Sequence, residues 1–190
     1  MTAKHLGGHA NKTWIDAGAL SFLQTRFGIK TMLDIGCGPG GMKSVAEKLA
    51  IAWQGVDGDS AVASRGTVVH DFTTGPVPDL ASYDLAWSVE FLEHVAEKHQ
   101  QNYMAAFERC KFVACTAAPP GWKGHHHVNC RPQAYWIDVF SAAGFRYDAQ
   151  ITREMVAAST MRKRKGRSFM SISGMFFVRR DQWCHSVHQS

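Results

Sequence analysis

Asp34 is followed at alternate positions by Gly36, Gly38 and Gly40, with Cys37 and Pro39 between them and Gly41 next. An acid beside that many glycines matters because glycine allows a tight turn and close backbone approach to a ligand. The apolar run Thr31 to Ile35 before it reads as a buried parallel strand. The amphipathic segment Met42 to Ala50 after it reads as a helix, with Met42, Val45, Ala46 and Leu49 on one face. Strand, glycine turn and helix make the setting of a nucleotide-type loop, and a helix start offers unpaired N–H groups. The spacing differs from Gly-x-Gly-x-x-Gly, and no Gly-Lys-Ser/Thr follows, so a triphosphate cradle is disfavoured. A carboxylate at Asp34 repels phosphate and suits a ligand with cationic groups. A turn that binds nothing, or a nicotinamide site, is the alternative.

Other residues have types and spacing that could do chemistry. Ile51 to Val56 reads as a second strand with Asp57-Gly58 behind it, and Asp57 lies 21 residues beyond Gly36. In a doubly wound sheet an acid about 20 residues on can accept hydrogen bonds from ribose hydroxyls. Asp59 competes for that role, and Asp57 is favoured because it directly follows the apolar run. Glu90, Glu93 and His94 follow the strand Tyr83 to Val89, which contains Ser88; their spacing predicts one side of a helical turn. The end of that strand is where a sheet switch point places a reactive group. His125, His126 and His127 sit in a long loop from Ala117 to Arg131. Histidine is the usual proton acceptor near neutral pH, which makes His94 and His125 the candidate bases.

The Asp-x-Gly-x-Gly-x-Gly string resembles the first motif of the class I S-adenosylmethionine-dependent methyltransferases. The resemblance covers about Thr31 to Arg180. It implies a single three-layer, Rossmann-like α/β domain whose mostly parallel seven-stranded sheet has its last strand antiparallel between the fifth and sixth. It implies S-adenosylmethionine as cofactor and S-adenosylhomocysteine as product, lined by Asp34, Ile35, Gly36, Cys37, Gly38, Gly40, Asp57, Gly58 and Ser88. It also implies that Asp71 meets the adenine amino group while Phe72 packs on the ring. Glu-x-x-Glu-His with a later histidine is similar to two metal-dependent groups, the small-RNA 2′-O-methyltransferases and the ubiquinone-pathway O-methyltransferases. The same string occurs in metal-free methyltransferases, so a divalent metal is possible without being required. No Asn/Asp-Pro-Pro-Tyr follows the fourth strand and no Pro-Cys pair is present, which disfavours methylation of DNA bases.

The elements that must hold these residues follow from the pattern. Thr13 to Phe27 predicts a helix before the first strand, within an N-terminal segment 1–30. Thr67 to His70 is a third strand, Gln100 to Cys110 a helix, Lys111 to Thr116 the fifth strand, and Pro132 to Ala143 a helix. Phe145 to Ile151 reads as the sixth strand, Thr152 to Met161 as a helix and Met170 to Val178 as the last strand. The core would then run over 31–180, with 181–190 a polar tail. The chain has 190 residues, enough for one domain with a good core. No apolar run approaches a membrane span, the N-terminus has no signal-peptide core, and five scattered cysteines form no Cys-x-x-Cys pair. A reducing cytoplasm is therefore expected.

Formal charge is +5, but residues 1–150 carry −1 and residues 151–190 carry +6. The run Arg162-Lys163-Arg164-Lys165-Gly166-Arg167 accounts for most of that excess. A small-molecule acceptor methylated on oxygen or nitrogen is the expectation, since no added recognition domain is visible. RNA is the alternative partner, through the basic run. A non-catalytic, cofactor-binding or partner-activating subunit is a third possibility.

Overall fold

The computed structural model describes residues 5–6, 8–162 and 166–182. Seven strands form one sheet in the order β3-β2-β1-β4-β5-β7-β6. They are β1 (Thr31–Ile35), β2 (Ala52–Asp57), β3 (Thr67–Val69), β4 (Tyr83–Ser88), β5 (Cys110–Cys115), β6 (Phe145–Tyr147) and β7 (Met175–Arg179). β1 to β5 are mutually parallel, and β7 runs antiparallel to both β5 and β6. This is the Rossmann-like order that the resemblance implies. The carboxyl ends of β1, β2, β4 and β5 therefore share one edge, and the order reverses between β1 and β4, where a crevice opens.

The central strands are mostly apolar because both faces of the sheet are covered. Leu33, Ile35, Ala86, Val113 and Phe177 point to one face, against α3 (Gln100–Phe107) and α4 (Gln133–Ala142). Met32, Leu85, Trp87, Phe112 and Phe176 point to the other, against α1 (Ala17–Phe27), α2 (Met42–Lys48) and α5 (Ala149–Ala158). α1 starts at Asp16, whose carboxylate accepts from Ala19 N, and ends at Gly28 in the left-handed region.

Several boundaries differ from the sequence reading. Met170 to Val178 is not one strand: α6 (Phe169–Ser173) precedes β7, started by a reciprocal Ser168–Ser171 capping box and closed by Gly174. β6 stops at Tyr147 because Asp148 caps α5, accepting from Gln150 N and Ile151 N. The helix expected over Thr152 to Met161 accordingly begins and ends three residues earlier. α1 begins at Ala17 rather than Thr13, which leaves Thr13 and Trp14 free to face the crevice. Lys163, Arg164 and Lys165 of the basic run, and 183–190 of the tail, lie outside the described residues. Among the described residues no helix is long and apolar enough to cross a membrane.

Candidate cofactor and acceptor site

β1 ends at Ile35 and hands the chain to the glycine turn. Gly36, Gly38 and Gly40 all have positive φ, at 73°, 51° and 73°. Gly36 N and Cys37 N both donate to Val56 O, so the turn is pinned to β2. A Cβ on Gly36 would lie 2.5 Å from the Phe91 ring, so no side chain fits there. Asp57 ends β2, and its carboxylate accepts from Gly38 N at 2.7 Å and from Asp59 N at 2.9 Å. That carboxylate therefore fixes the turn while keeping further lone pairs for a ligand.

Asp34 is nearly fully buried, 3 % exposed, and faces the crevice. Burial pushes its carboxyl up to about 7, although the Trp53 indole N–H, donating at 3.1 Å, opposes this. Asp34, Gly36, Cys37 and Gly38 line a cavity of about 260 Å³ together with Trp87, Val89, Glu90, His94, His125 and His127. Asp57, Gly58, Asp71 and Phe72 line an adjoining space of about 80 Å³. Ile35 and Ser88 do not face either space. Both are fully buried, and the Ser88 hydroxyl donates to Ile35 O, so Ser88 ties β4 to β1 beneath the crevice. Gly40 faces Ser64 and Trp53 rather than the cavity.

The N-terminal residues cross the crevice, which the sequence reading missed. His5 Nε2 meets Asp71 at 2.7 Å and His9 Nε2 meets Asp59 at 3.3 Å. A Cβ on Gly58 would lie 2.5 Å from a Leu6 methyl, so Leu6 sits directly on that turn. The Thr13 hydroxyl accepts from Gly41 N at 2.9 Å. Burial alone would raise the Asp71 carboxyl, but the Thr73 backbone N–H and His5 outweigh it and hold the group below the usual range.

The acid and imidazole cluster lies beyond β4. Glu90 is not on the helical turn that its spacing suggested: it takes a left-handed φ of 56°, and a 3₁₀ turn, Leu92–His94, begins only afterwards. Its N–H donates to the Thr116 hydroxyl at 2.9 Å, and that hydroxyl donates back to Glu90 Oε1. Burial, followed by the charge of Glu93, raises the Glu90 carboxyl, and burial raises Glu93 likewise; two facing buried acids cannot both ionise cheaply. Glu93 is fully buried with both carboxylate oxygens unpartnered among the described residues, as is His94 Nδ1. His94 is pushed down to about 4 by burial and then by His127, so it is neutral at pH 7.

His127 Nδ1 contacts Trp122 O at 2.9 Å, and a carbonyl only accepts, so Nδ1 carries the proton and Nε2 is left as an acceptor. The His94 and His127 rings pack edge to face at 4.9 Å. Candidate ligand atoms of Glu93, His94 and His127 all lie within 4.8 Å of one another. One carboxylate and two imidazoles have the chemistry of a site for a divalent transition ion, whose ligand atoms would stand roughly 3.4 Å apart, so the three groups would have to close by up to about 1.4 Å. Of the three loop histidines, His127 is thus the one brought against His94, while His125 is exposed at the cavity rim.

Residues 33–112 match the family model described as a methyltransferase domain. No curated protein sequence matches the chain. Its fold is similar to that of the magnesium protoporphyrin IX methyltransferase of Synechocystis with bound SAM, at 14 % identity and TM-score 0.59, covering 86 % of this chain and 77 % of that one. It is similar to a TehB-like SAM-dependent methyltransferase of Corynebacterium glutamicum at 16 % identity and TM-score 0.60, covering 90 % of each chain. It is similar also to the sugar N-methyltransferase KedS8 of a Streptoalloteichus species at 12 % identity and TM-score 0.61, covering 86 % and 87 %. Residues 33–112, which hold the glycine turn and the strands around it, thus match a methyltransferase domain, and the sheet order is that of the Rossmann-like methyltransferase fold.

Proposed function

We propose that this enzyme methylates an oxygen or nitrogen of a small-molecule acceptor. One observation carries the reading: the buried acid and glycine turn at Asp34–Gly38 and the imidazoles of His94 and His127 line the same cavity. Asp34, beside the turn, offers a carboxylate to a cationic amino-acid end. Asp57 and Asp71 offer carboxylates to ribose hydroxyls and an adenine amino group, with Phe72 against the ring. When bound, S-adenosylmethionine supplies an electrophilic methyl on a positively charged sulfur.

The chain's own residues orient the acceptor, exclude water and receive a proton. The proton that the acceptor loses on methylation would pass to His127 Nε2. The Trp122 carbonyl holds His127 in the tautomer that can take it. His94, pushed down to about 4, is a poor base at pH 7 and acts as the wall that aims the acceptor. His125 stands at the entrance. Calorimetric titration with S-adenosylhomocysteine should give binding that Asp57→Ala weakens about tenfold or more, the cost of about one charge-assisted hydrogen bond. Labelled-methyl transfer to metabolite pools should depend on His127. Binding untouched by Asp57→Ala, or turnover untouched by His127→Ala with a genuine acceptor, would reject these assignments.

A second reading is favoured by the orphaned Glu93 oxygens. A divalent cation held by Glu93, His94 and His127 would satisfy them and would act as a Lewis acid on the acceptor's hydroxyl.

A further inference from the structure

The cavity lined by the imidazoles does not end at them. Past Trp14, Trp122 and Phe169, which border both spaces, it opens into a groove of about 590 Å³. Trp14 and Phe169 form one wall, packed edge to face at 4.7 Å. Trp122 stands across from the core with 38 % of its surface exposed, and Ile172 completes the apolar lining. Arg162 and Arg167 close the rim, and among the described residues no acidic one lines the groove. Neither arginine has a carboxylate partner among the described residues.

We propose that this groove holds the body of the acceptor, and that the acceptor is a small molecule with a flat ring and an anionic group, phosphate or carboxylate. The volume falls within the range of small-molecule sites, which is roughly 300–1,000 Å³. Exposed tryptophan beside an aromatic wall gives a stacking surface for a ring. Two guanidinium groups without a carboxylate partner among the described residues give planar, bidentate recognition of a carboxylate or phosphate. Held there, the acceptor projects its nucleophilic atom past Trp122 towards His94 and His127.

The charge pattern favours a small anion over a polymer. Among the described residues the cations lining this groove are Arg162 and Arg167, two charges beside an aromatic wall, which suits a small ringed anion rather than a long phosphate backbone. The proposal rests on methyl transfer occurring in the adjoining cavity, and the experiment separates the two ideas.

The full chain, saturated with S-adenosylhomocysteine, would be titrated calorimetrically with 1-naphthyl phosphate, 1-naphthoate, 1-naphthalenemethanol and a short single-stranded RNA. Both anions should bind, and their ratio identifies which anion the groove prefers. The neutral alcohol should bind at least about tenfold more weakly, and an R162Q/R167Q variant should lose about tenfold per arginine for the anions, as expected for charge-assisted bonds. Homocysteine-nucleoside binding should be unchanged in that variant, which also reports that it is folded. Equal binding of alcohol and anions, anion binding unchanged in the variant, or tighter and steeply salt-dependent binding of the RNA would overturn the proposal while leaving methyl transfer standing. No binding of S-adenosylhomocysteine by the native chain would overturn both.

Discussion

Asp34 joins the cofactor chemistry to pH. Its carboxyl sits at about 7 in the folded chain against 3.8 when unfolded, chiefly through burial. The folded state therefore holds a proton that the unfolded state has lost between those values. This contribution to stability is fully present below about pH 4 and fades as pH rises through 7, at no more than about 1.4 kcal/mol per pH unit. A cationic ligand reverses the preference by favouring the ionised acid. Affinity for S-adenosylhomocysteine should accordingly climb between pH 5.5 and 7.5 and then level off, with proton release visible when calorimetry is repeated in buffers of different ionisation heat. Asp34→Asn should flatten the profile. Trp53→Phe removes a donor that favours the ionised acid, so it should move the climb to higher pH. A profile for the native chain that is already flat would place the cationic group elsewhere.

At the level of elements, the segment over the crevice is the feature with the clearest consequence. His5, Leu6, His9 and Thr13 reach Asp71, Gly58, Asp59 and Gly41, so residues 5–6 and 8–13 lie across the entrance to the glycine turn. A chain lacking residues 1–12 should therefore bind S-adenosylhomocysteine with faster association and still faster dissociation, measured by stopped flow. Unchanged rates would mean that the segment does not gate the crevice. None of this was legible in the sequence, because the segment is short, polar and without period, and its partners lie 50 and 66 residues away. The parallel strands were legible for the opposite reason: each is an apolar run bounded by turn residues. The start of β7 is hidden in the sequence because Met170-Ser171-Ile172-Ser173 alternates apolar and polar, the period of a strand, directly before the apolar run from Met175; the Ser168–Ser171 cap and Gly174 are the signals that separate the two. The Glu90–His94 string was found as a cluster but read as one helical turn. The left-handed backbone at Glu90 comes from tertiary contacts with Thr116, 26 residues on, which spacing does not encode. The choice among three adjacent histidines likewise needed the Trp122 carbonyl, a contact within a loop with no regular period.

Across the whole molecule, the acid and imidazole cluster is where the long loop is stitched to the sheet. The Glu93 carbonyl accepts from both Val128 N and Asn129 N, which brings the histidine loop back over the end of β4. The Glu93 side chain, by contrast, is fully buried, and among the described residues neither oxygen has a partner at good hydrogen-bond geometry, although the Ala118 backbone and the Glu90 carboxyl lie near enough to ease its burial. Burial keeps Glu93 and Glu90 raised, so the metal-free chain carries protons there instead of paired charge. A divalent cation would displace those protons and cross-link the turn after β4 to the loop through His127. Binding at a hundred times the dissociation constant adds about 2.7 kcal/mol, which in a chain of this size raises the melting temperature by about 5–11 °C. Thermal unfolding should therefore be followed with Mg²⁺, Mn²⁺ and Zn²⁺ and again after EDTA. The sign of one variant separates the two states of this site. Without metal, Glu93→Gln relieves a buried acid and should leave the melting temperature unchanged or higher. With metal, the same change removes a ligand and should abolish the increment, as should His127→Ala. If none of the three ions shifts the native chain, the cluster is a pair of buried acids, both raised, beside His94 and His127, and the proton from the acceptor leaves through His127 unaided.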